Sequence, residues 1–390
     1  MALFRKKEAP GRGLIGVDIG AGGIKAVELI PEKGRLRLST YGYSTTKEPK
    51  EQAVHLIDDP KRGADILTRV MKKADIKSTL ANASLPSHAV FHAIITIPQP
   101  KSAKEEIKPM IETQIRKLLS IPLEEMILDS TVIDKDLLPK KVPKKEKKKK
   151  EKKKEEKVGQ VAAGEVDKPA EMVAEKKHIR ILVSGAPKDL VSKYVELFKL
   201  AKLELVSLET EAFALIRSLI GKDKARIMIV DIGYERTNIT IVSEGTPFLH
   251  RSIKAGGIMV TNMIAKQMGI PMREAEQTKL DLAWREEKGE LPPVLKEAMM
   301  PILHEVKYAL ELYSAQEFHE HETVDKIIIT GGSANLPQID KLLTDTLNIN
   351  VYLGDPWARI ATPLGLRPVL DEIGPRFSVA VGLAMKELKK

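Results

Sequence analysis

The sequence predicts an α/β protein with two similar lobes, because one short motif occurs twice and a glycine turn follows a later strand. Residues 17–20 and residues 230–233 both read valine, aspartate, isoleucine, glycine, and each copy ends a short apolar run. A second apolar or β-branched run follows each copy, which predicts a strand, a tight turn and another strand. The third observation is the continuous apolar strand 324–330, which ends at Gly331-Gly332-Ser333-Ala334.

A glycine turn beside an acid is suited to binding phosphate with Mg²⁺. The turn exposes backbone N–H groups that can hold phosphate, and the acid can hold the water shell of the metal. One such turn is typical of an ordinary β-turn. Two copies that face each other, together with a third glycine turn, predict a site that holds one nucleotide from both sides.

Length and composition indicate a globular chain of two or more domains. The chain has 390 residues, of which 43% are hydrophobic, and it contains no cysteine. The missing cysteines exclude disulfides, zinc–thiolate sites and a thiol nucleophile, and they favour a reducing compartment. No apolar run approaches the roughly 18 residues of a membrane span, and no secretory signal is expected.

The net charge of +10 comes mostly from one segment. Residues 140–157 hold 12 Lys and 4 Glu, which gives a local charge of +8. The remainder, at about +2, gives no reason to expect nucleic-acid binding. The segment has almost no apolar residues, so we predict a disordered, solvated loop over 135–178, with an electrostatic contact to anionic lipid or RNA as the alternative.

The first lobe is predicted to contain strands and one helix. Residues 14–29 and 36–43 predict a β-meander, and a helix over 64–74 and strands over 82–85 and 89–97 come next. Pro98-Gln99-Pro100 marks a boundary.

A small unit is predicted after that boundary. Ser102 with Glu105 is typical of a capping box. The helix after it carries one apolar face, formed by Ile107, Ile111, Ile115, Leu118 and Leu119. A strand over 124–133, the charged loop, a strand over 179–185, a helix over 188–201 and a further strand complete a helix-strand-strand-helix-strand unit.

The second lobe is predicted to begin at residue 226, after a helix over 209–220. Its elements are strands after 226 and at 247–250, a turn at 254–257, helices around 274–279 and over 295–317, a helix after Pro337 and a C-terminal helix over 376–388. Trp284 and Trp357 are expected to pack in the interior. His319-Glu320-His321-Glu322 is interpreted as a surface turn, because its spacing does not bring the histidines to one helix face.

The combination of motifs resembles the superfamily of ATPases that includes actin and the sugar kinases. Residues 18–25 are similar to its first phosphate loop, residues 231–238 to its second, and residues 331–334 to its adenosine motif. Within the superfamily the order resembles the PilM family, the actin-like proteins of type IV pilus assembly, which are related to the division protein FtsA. Residues 115–129, 209–215 and 274–279 resemble further passages of that family.

This resemblance implies an actin-like ATPase fold of two RNase-H-like lobes with an inserted small α/β domain of the 1C type. The implied domains are the first lobe over 1–97, the insert over 98–204, a return helix over 205–225, the second lobe over 226–364 and a C-terminal return over 365–390.

The resemblance also implies ATP and Mg²⁺ as ligands. Asp18 and Asp231 would orient the metal through water, Glu211 would polarise the attacking water together with Asp231, and Thr237 and Asn238 would bond phosphate. Glu276 and Lys279 would contact ribose or base. The other implied nucleotide contacts are Gly20, Ala21, Gly22, Gly23, Lys25, Gly233, Gly256, Gly257, Gly331, Gly332, Ser333 and Ala334.

The first loop departs from the family, because Ala21-Gly22-Gly23 stands where hydroxyl residues usually occur. Backbone N–H groups can still bind phosphate, but each lost bond to a charged group is worth roughly 1.5–3 kcal/mol. We therefore expect ATP binding with weak or undetectable hydrolysis.

The function implied by the resemblance is a cytoplasmic scaffold of the pilus alignment complex at the inner-membrane face, with a role in twitching motility. It would dock the N-terminal cytoplasmic tail of a PilN-type membrane protein between the first lobe and the insert, bordered by 104–119 and 124–133. Contact with the motor platform and self-association stay open. The alternatives are an FtsA-like, membrane-associated filament protein and a sugar-kinase-type phosphotransferase, for which no catalytic motif is visible.

Overall fold

The computed structural model describes residues 13–45, 55–99, 107–134, 178–283, 291–315 and 322–386. The chain forms two compact units. The first comprises Met1–His92, Glu124–Asp129 and Ser184–Lys390, and the second comprises Ala93–Leu123 and Ser130–Val183. No helix of the described residues is long and apolar enough to cross a lipid bilayer.

Thirteen strands and nine α-helices are formed by the described residues. The strands are β1 (Leu14–Gly20), β2 (Gly23–Glu32), β3 (Arg35–Tyr43), β4 (Leu80–Leu85), β5 (Phe91–Pro98), β6 (Met126–Val132), β7 (His178–Pro187), β8 (Glu204–Thr210), β9 (Ile227–Ile232), β10 (Thr237–Ser243), β11 (Thr246–Ile253), β12 (Lys326–Thr330) and β13 (Val351–Leu353). The helices are α1 (Pro60–Lys73), α2 (Ile107–Ile115), α3 (Lys188–Leu200), α4 (Glu211–Leu215), α5 (Gly257–Met268), α6 (Met272–Ala283), α7 (Pro293–Ser314), α8 (Ile339–Leu347) and α9 (Arg367–Ala384).

The two large sheets have the same plan, which confirms the predicted repeat. One sheet has the strand order β3-β2-β1-β4-β8 and the other has the order β11-β10-β9-β12-β13. In each, the strand with the repeated motif pairs antiparallel with the next strand and parallel with a later one. The motif therefore ends at the same edge of both sheets. The remaining strands form a three-stranded sheet with the order β5-β7-β6.

A shared apolar core joins the two lobes beneath these edges. Leu215 of α4 and Leu219 of the π-helical turn that follows lie in one cluster with Ile229 of β9 and Leu383 of α9. The close approach of α9 depends on glycine. A Cβ atom on Gly382 would overlap the carbonyl oxygen of Ala214, so a side chain does not fit there.

Helix α3 falls within the predicted insert over 98–204 but belongs to the first unit, and β8, which begins where the predicted insert ends, belongs to the same unit. Strand β8 pairs in parallel with β4, and α3 packs on α1, where Leu197 and Phe198 are fully buried. Residues 135–177 lie in sequence between β6 and β7, which are two members of the small three-stranded sheet. The helix predicted over 188–201 is therefore part of the first unit and not of the second.

Three helix boundaries also differ from the prediction. Glu209 and Thr210 continue β8, so α4 begins at Glu211. Helix α9 begins at Arg367, because Pro368 is tolerated in its first turn and the helix continues through Pro375. Helix α2 ends at Ile115, and Leu118 is 54% exposed. Trp357 is buried as predicted, whereas the capping box, residues 135–177, Trp284 and 319–321 lie outside the described residues.

Candidate functional site

A cavity of about 420 Å³ lies between the two lobes, at the edge where the motif strands of both sheets end. It belongs entirely to the first compact unit. Fourteen of the residues predicted for the site line it: Asp18, Gly20, Ala21, Gly22, Lys25, Glu211, Asp231, Gly233, Asn238, Glu276, Lys279, Gly331, Gly332 and Ser333.

The glycines of the cavity allow the turns to approach one another. A Cβ atom on Gly22 would lie 2.9 Å from Cβ of Tyr234, so the first loop reaches the second loop across the cavity. Gly331 has a φ of +91°, and a Cβ atom there would overlap the Asp231 carboxylate. Glycine is the residue that adopts this conformation without strain. The bare backbone leaves space that a purine or a phosphate chain could occupy.

Asp18, Asp231 and Glu211 interact with one another in this cavity, and Lys25 lies beside Asp18. Asp18 forms an ion pair with Lys25, whose Nζ lies 3.0 Å from Oδ2, because the two residues are directly opposite each other on β1 and β2. Burial raises the pKa of Asp231 to about 6, with a further contribution from Asp18 that Lys25 opposes. The two aspartates outnumber Lys25, and this local excess of negative charge favours a bound cation.

Glu211 is held by three hydrogen bonds that converge on one oxygen. The Ser87 N–H (3.2 Å), the Ser87 hydroxyl (2.6 Å) and the Asn238 amide (3.0 Å) all donate to Oε2. Burial, followed by the charges of Asp231 and Asp18, raises the pKa of Glu211 to about 8. The side chain is therefore largely protonated at neutral pH before any cation enters.

The helix α6 presents Glu276 and Lys279 at the opposite wall. Lys279 is 6% exposed, and its ammonium donates to Glu276 Oε2 (2.7 Å), the Thr261 hydroxyl (2.9 Å) and the Gly257 carbonyl (3.2 Å). Burial lowers the pKa of Lys279, and Glu276 partly restores it. The pair forms a fixed polar wall beside Gly331 and Gly332.

Five predicted residues do not line the cavity. Thr237 was expected to bond phosphate, but it is fully buried and its hydroxyl donates to the Ala255 carbonyl at 2.7 Å. The Gly257 N–H donates to the Gly233 carbonyl at 2.9 Å, which fixes the second loop against the start of α5. Gly23, Gly256 and Ala334 likewise lie within the turns that shape the cavity.

Several residues at the cavity were missed by sequence reasoning. Ser87 lies in a short 3₁₀ turn after β4 and has no sequence signal. Glu235 follows the second glycine turn directly, and its position was a usable signal. It forms ion pairs with His55 (3.3 Å) and Lys254 (3.4 Å). Arg376 of α9 lies beside Gly332 and over the ring of Tyr43.

The raised pKa of Glu211 predicts a pH-dependent stability. The native carboxyl binds its proton more tightly than the unfolded one, so the free energy of unfolding falls as the pH rises from about 4.5 to about 8. Glu211→Gln removes this contribution. Urea denaturation measures the free energy of unfolding of the variant and of the parent at each pH. The variant's value minus the parent's value should increase by at least about 2 kcal/mol from pH 5 to pH 9. The exposed Glu274→Gln is the control, and an equal rise there would contradict the prediction.

The fold and the cleft define this chain as a protein with the actin-like ATPase fold. The model of the type IV pilus assembly protein PilM family matches residues 16–148 and 167–388. The chain therefore belongs to the PilM family of type IV pilus assembly proteins, as its motifs predicted.

Three similar proteins illustrate this placement. The structure of a PilM–PilN type IV pilus biogenesis complex is matched with a TM-score of 0.72 and 21% identity, over 95% of this chain and 97% of the other. MreB5 of Spiroplasma citri bound to AMPPNP is matched with a TM-score of 0.50 and 14% identity, over 96% and 95%. The cell division protein FtsA of Pseudomonas aeruginosa is 27% identical over 209 residues, which is about half of either chain.

Proposed function

We propose that this pilus assembly protein binds ATP with Mg²⁺ in the cleft between its lobes. The observation that carries the proposal is that both glycine loops, the Gly331–Ser333 turn, Asp18 and Asp231 line the same cavity. The MreB5 relative, whose structure is described with a bound ATP analogue, supports the same use of the fold. The bare backbone at Gly331 and Gly332 fits the adenosine end, and Asp18 and Asp231 fit the metal end.

The donor set fits a hydrated Mg²⁺ ion. Among the described residues, no group of three or more His, Cys, Asp or Glu side chains is arranged to hold a metal ion. Mg²⁺ commonly keeps several waters and is bound through one or two carboxylates plus substrate phosphates. Asp18 and Asp231 would hold such an ion through its waters, and Asn238 offers a buried Oδ1 that has no partner among the described residues.

Hydrolysis would be weak at most. Glu211 lies at the cavity and could polarise a water molecule, but its raised pKa keeps it protonated until a cation lowers that pKa. The first loop offers only backbone N–H groups, because Ala21, Gly22 and Gly23 carry no hydroxyl. Turnover far slower than that of an ordinary enzyme, whose kcat is about 10 per second, would agree with this proposal, whereas rapid steady hydrolysis would contradict it.

Calorimetric titration tests the nucleotide proposal. ATP in the presence of Mg²⁺ should give one saturable site, and chelation of the metal should weaken it at least about tenfold, because phosphate and the carboxylates of Asp18 and Asp231 then repel each other. Absence of saturable binding with Mg²⁺ present would overturn the proposal.

We further propose that the chain is a scaffold for a PilN-type partner. The support is its family and the PilM–PilN complex, to whose structure the fold of this chain is similar. A short cytoplasmic tail of an inner-membrane protein would then hold this chain at the cytoplasmic face of the membrane. The nucleotide would stabilise the binding-competent arrangement rather than supply work.

A peptide with the sequence of a PilN-type N-terminal tail tests the partner proposal. The full chain should bind the peptide saturably and more tightly with MgATP than without it, and a scrambled peptide of equal charge should not bind. Equal retention of both peptides would contradict a specific partner site.

A further inference from the structure

Glu211 lies between two side chains from different lobes. Ser87 follows β4 of the first lobe, and it donates both its backbone N–H and its hydroxyl to Glu211 Oε2. Asn238 lies on β10 of the second lobe and donates to the same oxygen at 3.0 Å. One carboxyl oxygen thus receives donors from both sides of the cleft.

We propose that Asn238 is a positioning residue that latches the second lobe to Glu211, so that closing the cleft and orienting this carboxyl are one event. The lobes already share an apolar core at α4, where Leu215 packs with Ile229. Glu211 is the first residue of α4, which places the latch directly above this joint. Opening the cleft would separate Asn238 from Ser87 and break the hydrogen bond to Oε2.

The groups around Glu211 leave the hydrogen bond from Asn238 as the contact that the second lobe makes with its Oε2. Ser87 is 2% exposed and gives Glu211 Oε2 both of its donors, so the carboxyl is fixed on the side of the first lobe. Glu211 and Asn238 are partly buried and line the cavity. The titratable groups that interact with Glu211 in the cavity are Asp18, Asp231 and Tyr194. Lys25 is paired with Asp18. Among the described residues, Asn238 is therefore the second lobe's only donor to Glu211 Oε2.

The absence of cysteine allows the latch to be measured without nucleotide. Lys61→Cys on α1 and Lys266→Cys on α5 introduce two exposed labelling sites, one on each lobe. Spin labels at these sites should give a narrow distance distribution in the otherwise unchanged chain. Asn238→Ala and the similarly sized Asn238→Leu should each lengthen and broaden it, whereas Glu211→Gln should preserve it, because a glutamine oxygen can accept the same bonds.

Thr240→Val is the matched control. Thr240 is two residues further along β10 and 2% exposed, but its hydroxyl contacts His250 of the same lobe at 3.0 Å. Its loss should lower stability without changing the distance. An unchanged distribution in both Asn238 variants, or an equal change in Thr240→Val, would overturn the latch.

A second readout rests on the proposed nucleotide function. Release of a fluorescent ATP analogue should be about tenfold faster from Asn238→Ala than from the parent, which is the factor expected for the loss of one hydrogen bond. Release at the parental rate would count against the latch. If no variant and no parent binds nucleotide, the proposed function fails while the label distances still decide the latch.

Discussion

Gly382→Ala is expected to lower the free energy of unfolding by at least about 3 kcal/mol, at the upper end of overpacking effects. Alanine ordinarily stabilises a helix relative to glycine by about 1 kcal/mol. Here the added methyl group would overlap the carbonyl oxygen of Ala214. This oxygen belongs to the main chain, so it cannot move away by a change of side-chain rotamer. Helix α9 would have to move away from α4 and so open the core that joins the lobes. Urea denaturation of the purified chain measures the loss.

Gly365→Ala provides the control for this prediction. Gly365 precedes α9, and a Cβ atom there would meet no atom within 4 Å. Its unfolding free energy should stay within about 0.5 kcal/mol of the parent. If Gly382→Ala were as stable as Gly365→Ala, the close packing of α9 on α4 would not be a stabilising feature of the fold.

Asp231→Ala is expected to weaken MgATP binding about 30- to 100-fold, which corresponds to the loss of one or two bonds to a charged group. Asp231 ends the motif strand of the second lobe and faces Asp18 across the cavity. Its removal takes away one of the two carboxylates that would hold the water shell of the metal. Calorimetric titration with Mg²⁺ measures the change.

The dependence on Mg²⁺ distinguishes a role of Asp231 in holding the metal from a general loss of structure in the variant. In the presence of a chelator the variant should bind ATP as well as the parent or better, because one repulsive charge is absent. Asp345→Ala, at an exposed position on α8, should bind like the parent under both conditions. A loss of affinity in Asp231→Ala that is the same with and without Mg²⁺ would contradict the metal role.

The repeated motif carried most of the fold prediction. A short apolar run that ends in an acid and a glycine specifies a buried strand with a turn at its end, and both are local properties. The structure differs from the prediction where long-range packing decides. The helix predicted over 188–201 was grouped with the insert but packs on α1, and nothing within the segment records that partner.

The residues of the candidate site also divide into those that local motifs predict and those whose place depends on distant contacts. Asp18, Asp231 and the glycines lie in motifs, so their position at the cavity could be anticipated. The sequence also suggested that Thr237 faces phosphate, but the alternation of β10 directs its hydroxyl to the Ala255 carbonyl and places the next residue, Asn238, at the cavity. Ser87 could not be found from sequence, because its role depends on a contact with a residue 124 positions away.

Hydrogen–deuterium exchange with and without MgATP tests the central claim most directly, because it reports which segments one nucleotide contacts. The account predicts that MgATP slows exchange together in 18–25, 231–238 and 331–334, and that Asp231→Ala shifts the effect at all three to a MgATP concentration about 30- to 100-fold higher. Protection of only one of these segments, or no protection at a saturating nucleotide concentration, would contradict a nucleotide held between the two lobes.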